Sequence, residues 1–393
     1  MPDKDETLAL LKRGTSQILS EEELKSKLGL GRPLRIKLGV DPTSPDLHLG
    51  HAVQLLKLRQ FQELGHQVVL IIGDFTAQIG DPSGRNSTRP PLSHEEVLKN
   101  ARTYMEQAFV ILDKTQTEVV HNGDWFNQMT FSEVIQLNGR VTLQQMLQRE
   151  DFKNRIDEGQ EVRLHEIQYP IVQGWDSVKV RADVEIGGSD QLFNILVGRD
   201  LQKSEGMDQQ VVMTLPLLEG LDGVKKMSKS YGNYVGLTDT PREMFGKLMS
   251  IADDLMPQYY NLCLQEEMPA SLHPLEAKKQ LAAKVVKTYH DEQAADATLG
   301  WWDDRSKDIA SVDHPTHEIG ARRDLVGVCQ AAYESLGEKR SGGEIRRLIQ
   351  QGSVQIDGMK VTDLKAVPDW SDGQILKLDK KRAVEITLNV RES

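Results

Sequence analysis

Cysteine is almost missing from this chain. Cys263 and Cys329 are the only two in 393 residues, which rules out a disulfide framework and fits a reducing compartment. No apolar run reaches membrane-spanning length. The start, Met1-Pro2-Asp3-Lys4-Asp5-Glu6, is acidic and has no signal-peptide core, so the expected location is the cytoplasm, with no membrane partner. There is no low-complexity segment and no internal repeat. No GxxxxGK[ST] string occurs, which excludes a P-loop nucleotide site.

Positive charge is also short, with a net charge of −11, but the deficit is uneven. From Lys339 to Arg391 there are eleven Lys/Arg against seven Asp/Glu, so the tail is the basic part of an acidic protein. It reads as a small unit of its own. Residues 341–352 form a capped helix ending at Gly352, and residues 354–361 a hairpin with an Asp357-Gly358 turn. Residues 373–378 and 383–388 are later strands, with Lys380-Lys381-Arg382 between them.

Two short signals stand far apart. The first is His48-Leu49-Gly50-His51. Residues 34–40 alternate apolar and polar, the period of a strand, and residues 41–46 are turn formers. Leu49, Ala52, Val53, Leu56 and Leu64 then recur at helical spacing up to Gly65. The histidines therefore sit at a helix N-terminus, where free backbone N–H groups and the helix dipole suit phosphate. A His pair could also hold a metal, but no third ligand stands at a familiar spacing.

The second signal is Lys225-Lys226-Met227-Ser228-Lys229-Ser230, flanked by Gly220, Gly223 and Gly232. It reads as a mobile loop whose ammonium groups can follow moving phosphates. Between the two signals, residues 67–73 are continuously apolar, as in a strand buried on both faces of a parallel sheet. With the helix before it, this strand implies a right-handed strand–helix–strand unit and a Rossmann-like α/β core. Residues 182–186 and 211–215 are further strands.

On these strings the chain resembles the class I aminoacyl-tRNA synthetases, and within them the bacterial tyrosyl family. Asp41-Pro42-Thr43 through His51, Ile79-Gly80-Asp81-Pro82-Ser83-Gly84, Tyr169 through Asp176, Ile186 through Gln191 and the lysine loop carry the resemblance, in order, over nearly the whole chain. It implies a two-step ligase. The carboxylate of tyrosine attacks the α-phosphate of ATP, and the tyrosyl group then moves to the end of tRNA(Tyr). Mg²⁺ is carried by ATP as substrate, with no tightly bound cofactor and no protein metal site.

The resemblance also assigns roles. His48, His51, Thr43, Lys226 and Lys229 act on the triphosphate. Gly39, Asp41, Gly50, Gly188, Asp190, Gln191 and Lys229 contact the nucleotide. Asp81, Tyr169 and Gln173 surround the substrate α-amino group, and Asp176 accepts its hydroxyl. Many members carry a tyrosine at the Lys37 position; here Lys37 either points out of the pocket or offsets the charge of Asp176.

The implied organisation is a catalytic domain over 1–239, a helical tRNA-contacting domain over 240–302, a linker over 303–324 and an S4-like RNA-binding domain over 325–393. A mainly helical insertion at about 90–181 is expected to form a homodimer interface.

Overall fold

A computed structural model describes residues 4–83, 93–304, 314–320, 323–379 and 382–388. Gly84, Pro90, Lys380, Lys381 and half of the expected linker lie outside these residues. The chain divides into two compact units, Met1–Asp296 and Ala297–Ser393.

The first unit is built on a six-stranded sheet. Its strands are β1 (Gln17–Leu19), β2 (Arg35–Val40), β3 (Gln67–Ile72), β4 (Thr117–His121), β5 (Val184–Gly188) and β6 (Val211–Leu215), in the order β1-β6-β5-β2-β3-β4. Strands β2 to β6 are parallel, and β1 is an antiparallel edge. Counting only the parallel strands, the order is the Rossmann one, so the chain reverses its direction of travel between β2 and β5. A crevice opens there, beyond the carboxyl ends of those two strands. Burial explains the composition: β3, β5 and β6 are covered on both faces and almost purely apolar.

Strand β5 contains one exception to that apolar rule. Glu185 is buried, and its register neighbour on β2 is Lys37, also buried. The two charges face each other inside the sheet's cover.

Helices bury the sheet and position the site. The Leu49–Glu63 helix follows β2, and the Leu164–Lys179 helix packs against the Leu192–Ser204 helix. Their contact is close because it is made of glycines. A Cβ on Gly174 would lie 2.8 Å from the backbone nitrogen of Gly198. This approach brings Gln173 within reach of Asn194, which donates to its Oε1 at 2.9 Å.

One expectation needs adjusting. The stretch at about 90–181 is not helical throughout, because β4 is part of the core sheet. The stretch 240–302, expected to be helical, ends in two helices, Pro274–Tyr289 and Glu292–Asp304.

The second unit holds a five-stranded sheet of β7 (Thr316–Ile319), β8 (Gln355–Ile356), β9 (Met359–Lys360), β10 (Ile375–Lys377) and β11 (Ala383–Leu388), ordered β7-β11-β10-β8-β9. Strand β7 comes from the stretch expected as linker. The β8–β9 turn has positive φ at Asp357 (47°) and Gly358 (80°), the twist that a two-residue hairpin needs. The Gly342–Gln350 helix starts with a capping box: Glu344 N–H donates to Ser341 Oγ, and Ser341 N–H donates to Glu344 Oε2. Leu325, Cys329, Tyr333, Ile345, Leu376 and Val384 form the centre of its core.

Candidate active site at the strand crossover

The loop after β2 is held rigidly. Thr43 N–H donates to the Asp41 carbonyl at 2.7 Å. Two amide side chains of the His94–Ala108 helix fix the remainder: Asn100 donates to the Pro42 carbonyl, and Gln107 bonds Pro45 and Leu47. Asp41 itself points into the crevice. Thr76 donates to its Oδ1 at 2.6 Å and the Tyr169 hydroxyl to its Oδ2 at 2.8 Å. Room for this carboxylate depends on Gly73, where a Cβ would stand 2.0 Å from Asp41 Oδ1. Gly39 is exposed at the end of β2, and Gly188 ends the neighbouring β5.

His48 caps the Leu49–Glu63 helix, and its ring lies 3.9 Å from that of His51. His48 N–H donates to His51 Nδ1 at 3.2 Å, so the His51 proton sits on Nε2. Burial pulls the pKa of His48 down to about 2 and that of His51 to about 4, with nearby Lys229 adding to both shifts. Both rings are therefore neutral at pH 7, and they serve as hydrogen-bond donors rather than as cations. Gly50 follows in the first turn of the same helix.

The segment that follows the lysine loop meets this helix start directly. Leu49 N–H donates to the Val235 carbonyl and Leu237 N–H to the Leu47 carbonyl, both at 3.0 Å, and His48 bridges Gly236. The loop is also tied internally. Buried Asn233 donates to Asp222 and to the carbonyls of Lys225 and Lys226, and it accepts from Ser228 N–H. Lys226 Nζ reaches Asp190 Oδ2 at 3.2 Å. Lys229 Nζ donates to Ser44 Oγ at 2.9 Å and Asp46 Oδ2 at 2.8 Å. Both ammonium groups thus stand over the crevice, on carboxylates that phosphate oxygens could replace.

Deeper in the crevice runs an amide network. Gln191 donates to Asp81 Oδ2 at 2.8 Å and accepts from Asn194, which also bonds Gln173. Arg149, buried and donating to Ser83 and Asn194, lies 3.7 Å from Asp81. Asp81 and Gln173 therefore belong to one connected wall, while the Tyr169 hydroxyl is held by Asp41.

Asp176 lies at the floor of the crevice, fully inside. Trp125 Nε1–H donates to its Oδ1 at 3.0 Å and Asn122 to its Oδ2 at 3.3 Å. Burial raises its pKa to about 7; the charge of Lys37 and these two hydrogen bonds hold it from going higher. Lys37 does not point out of the pocket. It is 0% exposed, and its Nζ is 2.9 Å from Glu185 Oε1. Removing one partner of such a buried pair costs about 3–5 kcal/mol, so neither residue is replaceable alone by a simple truncation.

All the residues singled out from the sequence thus lie along the crevice or beneath it. Sequence reasoning missed Gly73, Thr76, Asn122, Trp125, Arg149, Glu185, Asn194 and Asn233. One signal was readable: a lone glutamate inside the apolar string Val184-Glu185-Ile186 demands a buried partner.

Comparison with known proteins agrees with this geometry. The family model described as tRNA synthetases class I (W and Y) matches residues 30–304. The tyrosine–tRNA ligase of Aquifex aeolicus is 48% identical over 385 residues, covering 96% of this chain and 97% of the relative. That of Colwellia psychrerythraea is 46% identical over 400 residues, covering 99% and 100%. Among solved structures, the tyrosyl-tRNA synthetase of Archaeoglobus fulgidus complexed with L-tyrosine superposes with a TM-score of 0.61 at 22% identity, over 76% of this chain and all of that one. This last likeness speaks for the fold. Motifs, crevice and relatives converge: the chain belongs to the class I tRNA synthetases, in their tyrosine–tRNA ligase family.

Proposed function

We propose that the crevice between β2 and β5 carries out the ligase reaction of the family: tyrosine and ATP give tyrosyl-adenylate and pyrophosphate, and the tyrosyl group then passes to tRNA(Tyr). The observation that carries this reading is the backbone pairing of the start of the histidine helix with the segment that directly follows the lysine loop, far apart in sequence, while Lys229 of the loop reaches Ser44 and Asp46.

The substrate carboxylate is already a nucleophile, so the protein's task is placement and charge stabilisation. Asp81, Tyr169 and Gln173 bind the α-amino group, and Asp176 accepts the phenol. Gly39, Asp41, Gly50, Gly188, Asp190 and Gln191 line the nucleotide. Thr43 and the N–H groups of His48 and His51 donate to the phosphates as charge builds. Lys226 and Lys229 exchange Asp190 and Asp46 for the departing pyrophosphate. Mg²⁺ enters with ATP as part of that substrate. Among the described residues no group of three or more His, Cys, Asp or Glu gathers as a cage for a metal ion.

ATP–pyrophosphate exchange tests the reading. Tyrosine should support exchange, with phenylalanine and tryptophan roughly ten- to a hundredfold weaker, the worth of one well-placed charged hydrogen bond. A preference for tryptophan would overturn it. In the same assay, deleting residues 325–393 should leave exchange within about twofold and abolish tRNA charging, because the basic tail is proposed to hold the RNA. Normal charging by the truncated chain would remove the tail from RNA binding.

The protein is further proposed to act as a homodimer. Phe131 is 79% exposed and Leu164 80%, with Ile135, Leu143 and Ile156 also open to solvent on the same stretch of chain. Large apolar side chains so exposed mark a face that another surface covers. Sedimentation at micromolar protein should give a dimer, and Phe131→Asp with Leu164→Asp should give monomers. A wild-type monomer would refute this part.

A further inference from the structure

Lys37 occupies a position unusual for a lysine. It lies in the middle of a parallel sheet with 0% of its side chain exposed, and its partner Glu185 has 2%. All three protons of its ammonium group are used. One goes to Glu185 Oε1 at 2.9 Å, one to Ser177 Oγ at 2.7 Å and one to the Gln173 carbonyl at 3.0 Å. Glu185 is saturated in turn: its Oε2 accepts from Ser177 Oγ at 2.8 Å and from Gln210 Nε2 at 2.5 Å. Both charges of the pair are thus fully partnered within the protein.

Two of the three acceptors of Lys37, Gln173 and Ser177, lie on one turn of the Leu164–Lys179 helix, and Asp176 is on the same turn. That turn serves both ends of the amino-acid substrate, since Gln173 belongs to the α-amino wall and Asp176 to the phenol end. The groups facing Asp176 come from several elements. Asn122 and Trp125 donate to its oxygens. Among the charged groups, Lys37 favours its ionised form and Glu185 opposes it. Tyr169 stays a neutral phenol, because burial and then the field of Asp41, Asp81 and Asp176 hold its pKa well above the usual value.

We propose that Lys37 is a specificity-determining positioning residue: it pins the turn that carries Gln173 and Asp176, and its charge keeps Asp176 an acceptor for the substrate phenol. The proposal rests on the reading of Asp176 given above. In place of a second side chain touching the phenol, a cation one layer below favours the ionised form of Asp176, the main group that does. Glu185 has the opposite influence and balances Lys37, so the pair fixes the acidity at which tyrosine is preferred.

The sign follows from the chemistry. Ionised Asp176 accepts from the phenol, Asn122 and Trp125 together. Once protonated, one of its oxygens becomes a donor and one of those partners is lost. The ratio of tyrosine to phenylalanine activation should therefore fall as the pH drops through about 7, where Asp176 takes up its proton. Removing Lys37 moves that midpoint upward, and removing the charge of Glu185 moves it downward.

The experiment measures kcat/KM for both amino acids by pyrophosphate exchange, from about pH 6 to about pH 9. It uses the wild type, Glu185→Gln, Lys37→Met combined with Glu185→Gln, and Asp176→Asn, each checked for a cooperative thermal transition. The expected result is an acid shift from wild type to Glu185→Gln, and an alkaline shift of about one pH unit from Glu185→Gln to the double variant. A purely structural pair would not move the midpoint in opposite directions. Unmoved midpoints, or shifts of one sign, overturn the proposal. If the double variant does not fold, Glu185→Gln decides alone, because its amide still accepts from Lys37. Asp176→Asn separates the two readings: a pH-dependent ratio that survives there refutes Asp176 as the phenol acceptor, whatever Lys37 does.

Discussion

Asp176→Asn should lower kcat/KM for tyrosine in pyrophosphate exchange by about a hundredfold while leaving phenylalanine activation nearly unchanged, collapsing the preference between them. The carboxylate sits where two donors, Trp125 Nε1–H and the Asn122 amide, already point at its two oxygens. An asparagine presents an N–H to one of these donors, so donor meets donor, and only one oxygen is left for the phenol. Phenylalanine offers no hydroxyl and leaves the wild-type carboxylate without that partner, a loss the mutant no longer feels. A hydrogen bond to a charged group is worth about 1.5–3 kcal/mol, which sets the upper size of the change. Steady-state exchange with both amino acids checks it. An unchanged ratio would move phenol recognition to another residue.

Lys229→Ala should slow adenylate formation about 10²–10³-fold, the loss expected for one well-aimed charge on developing phosphate charge. Tyrosine affinity should change by less than about twofold, because Lys229 lies over the DPTSPD loop and not in the amide wall. Its partners here are Ser44 and Asp46, with Lys226 held separately on Asp190. Rapid quench of enzyme with tyrosine and ATP gives the rate, and equilibrium titration gives the affinity. A normal rate of adenylate formation would take Lys229 out of the chemistry. A large loss of tyrosine affinity with a normal rate would make it a binding residue instead.

The sheet was readable because its strands obey local rules. The apolar run of β3 and the alternation of β2 reflect how many faces each strand buries, and the histidine helix shows its period and its glycine stop. The tail hairpin was legible through a single dipeptide, Asp357-Gly358, whose backbone needs positive φ. The lysine loop was recognised, but its internal stitching by Asn233 was not, because an asparagine in a glycine-rich stretch has no local signature for burial. The strand β4 was hidden by the helices around it. Trp125 and Asn122 were missed for the same reason: they follow that strand, and only the sheet's pairing brings them to Asp176. Arg149 and Asn194 reach the amide wall through helix packing that no spacing rule encodes. Lys37 was noticed as odd, yet its partner could be found only by placing β5 beside β2 in register.

The pairing of His48 with Gly236 also bears on the order in which the molecule comes into being. Leu49 and Leu47 hold their backbone bonds with Val235 and Leu237, and β5 and β6 lie on the far side of β2 from β3. A nascent chain therefore carries its histidines long before it carries anything to lean them against. The early strands can pair with each other on emerging, but the mouth of the crevice must wait for the segment around residue 237. Ribosome-bound intermediates that end before this segment can already hold every strand of the sheet, the last of which ends at Leu215, but nothing fastens the lysines over it, so competence for ATP arrives late and all at once.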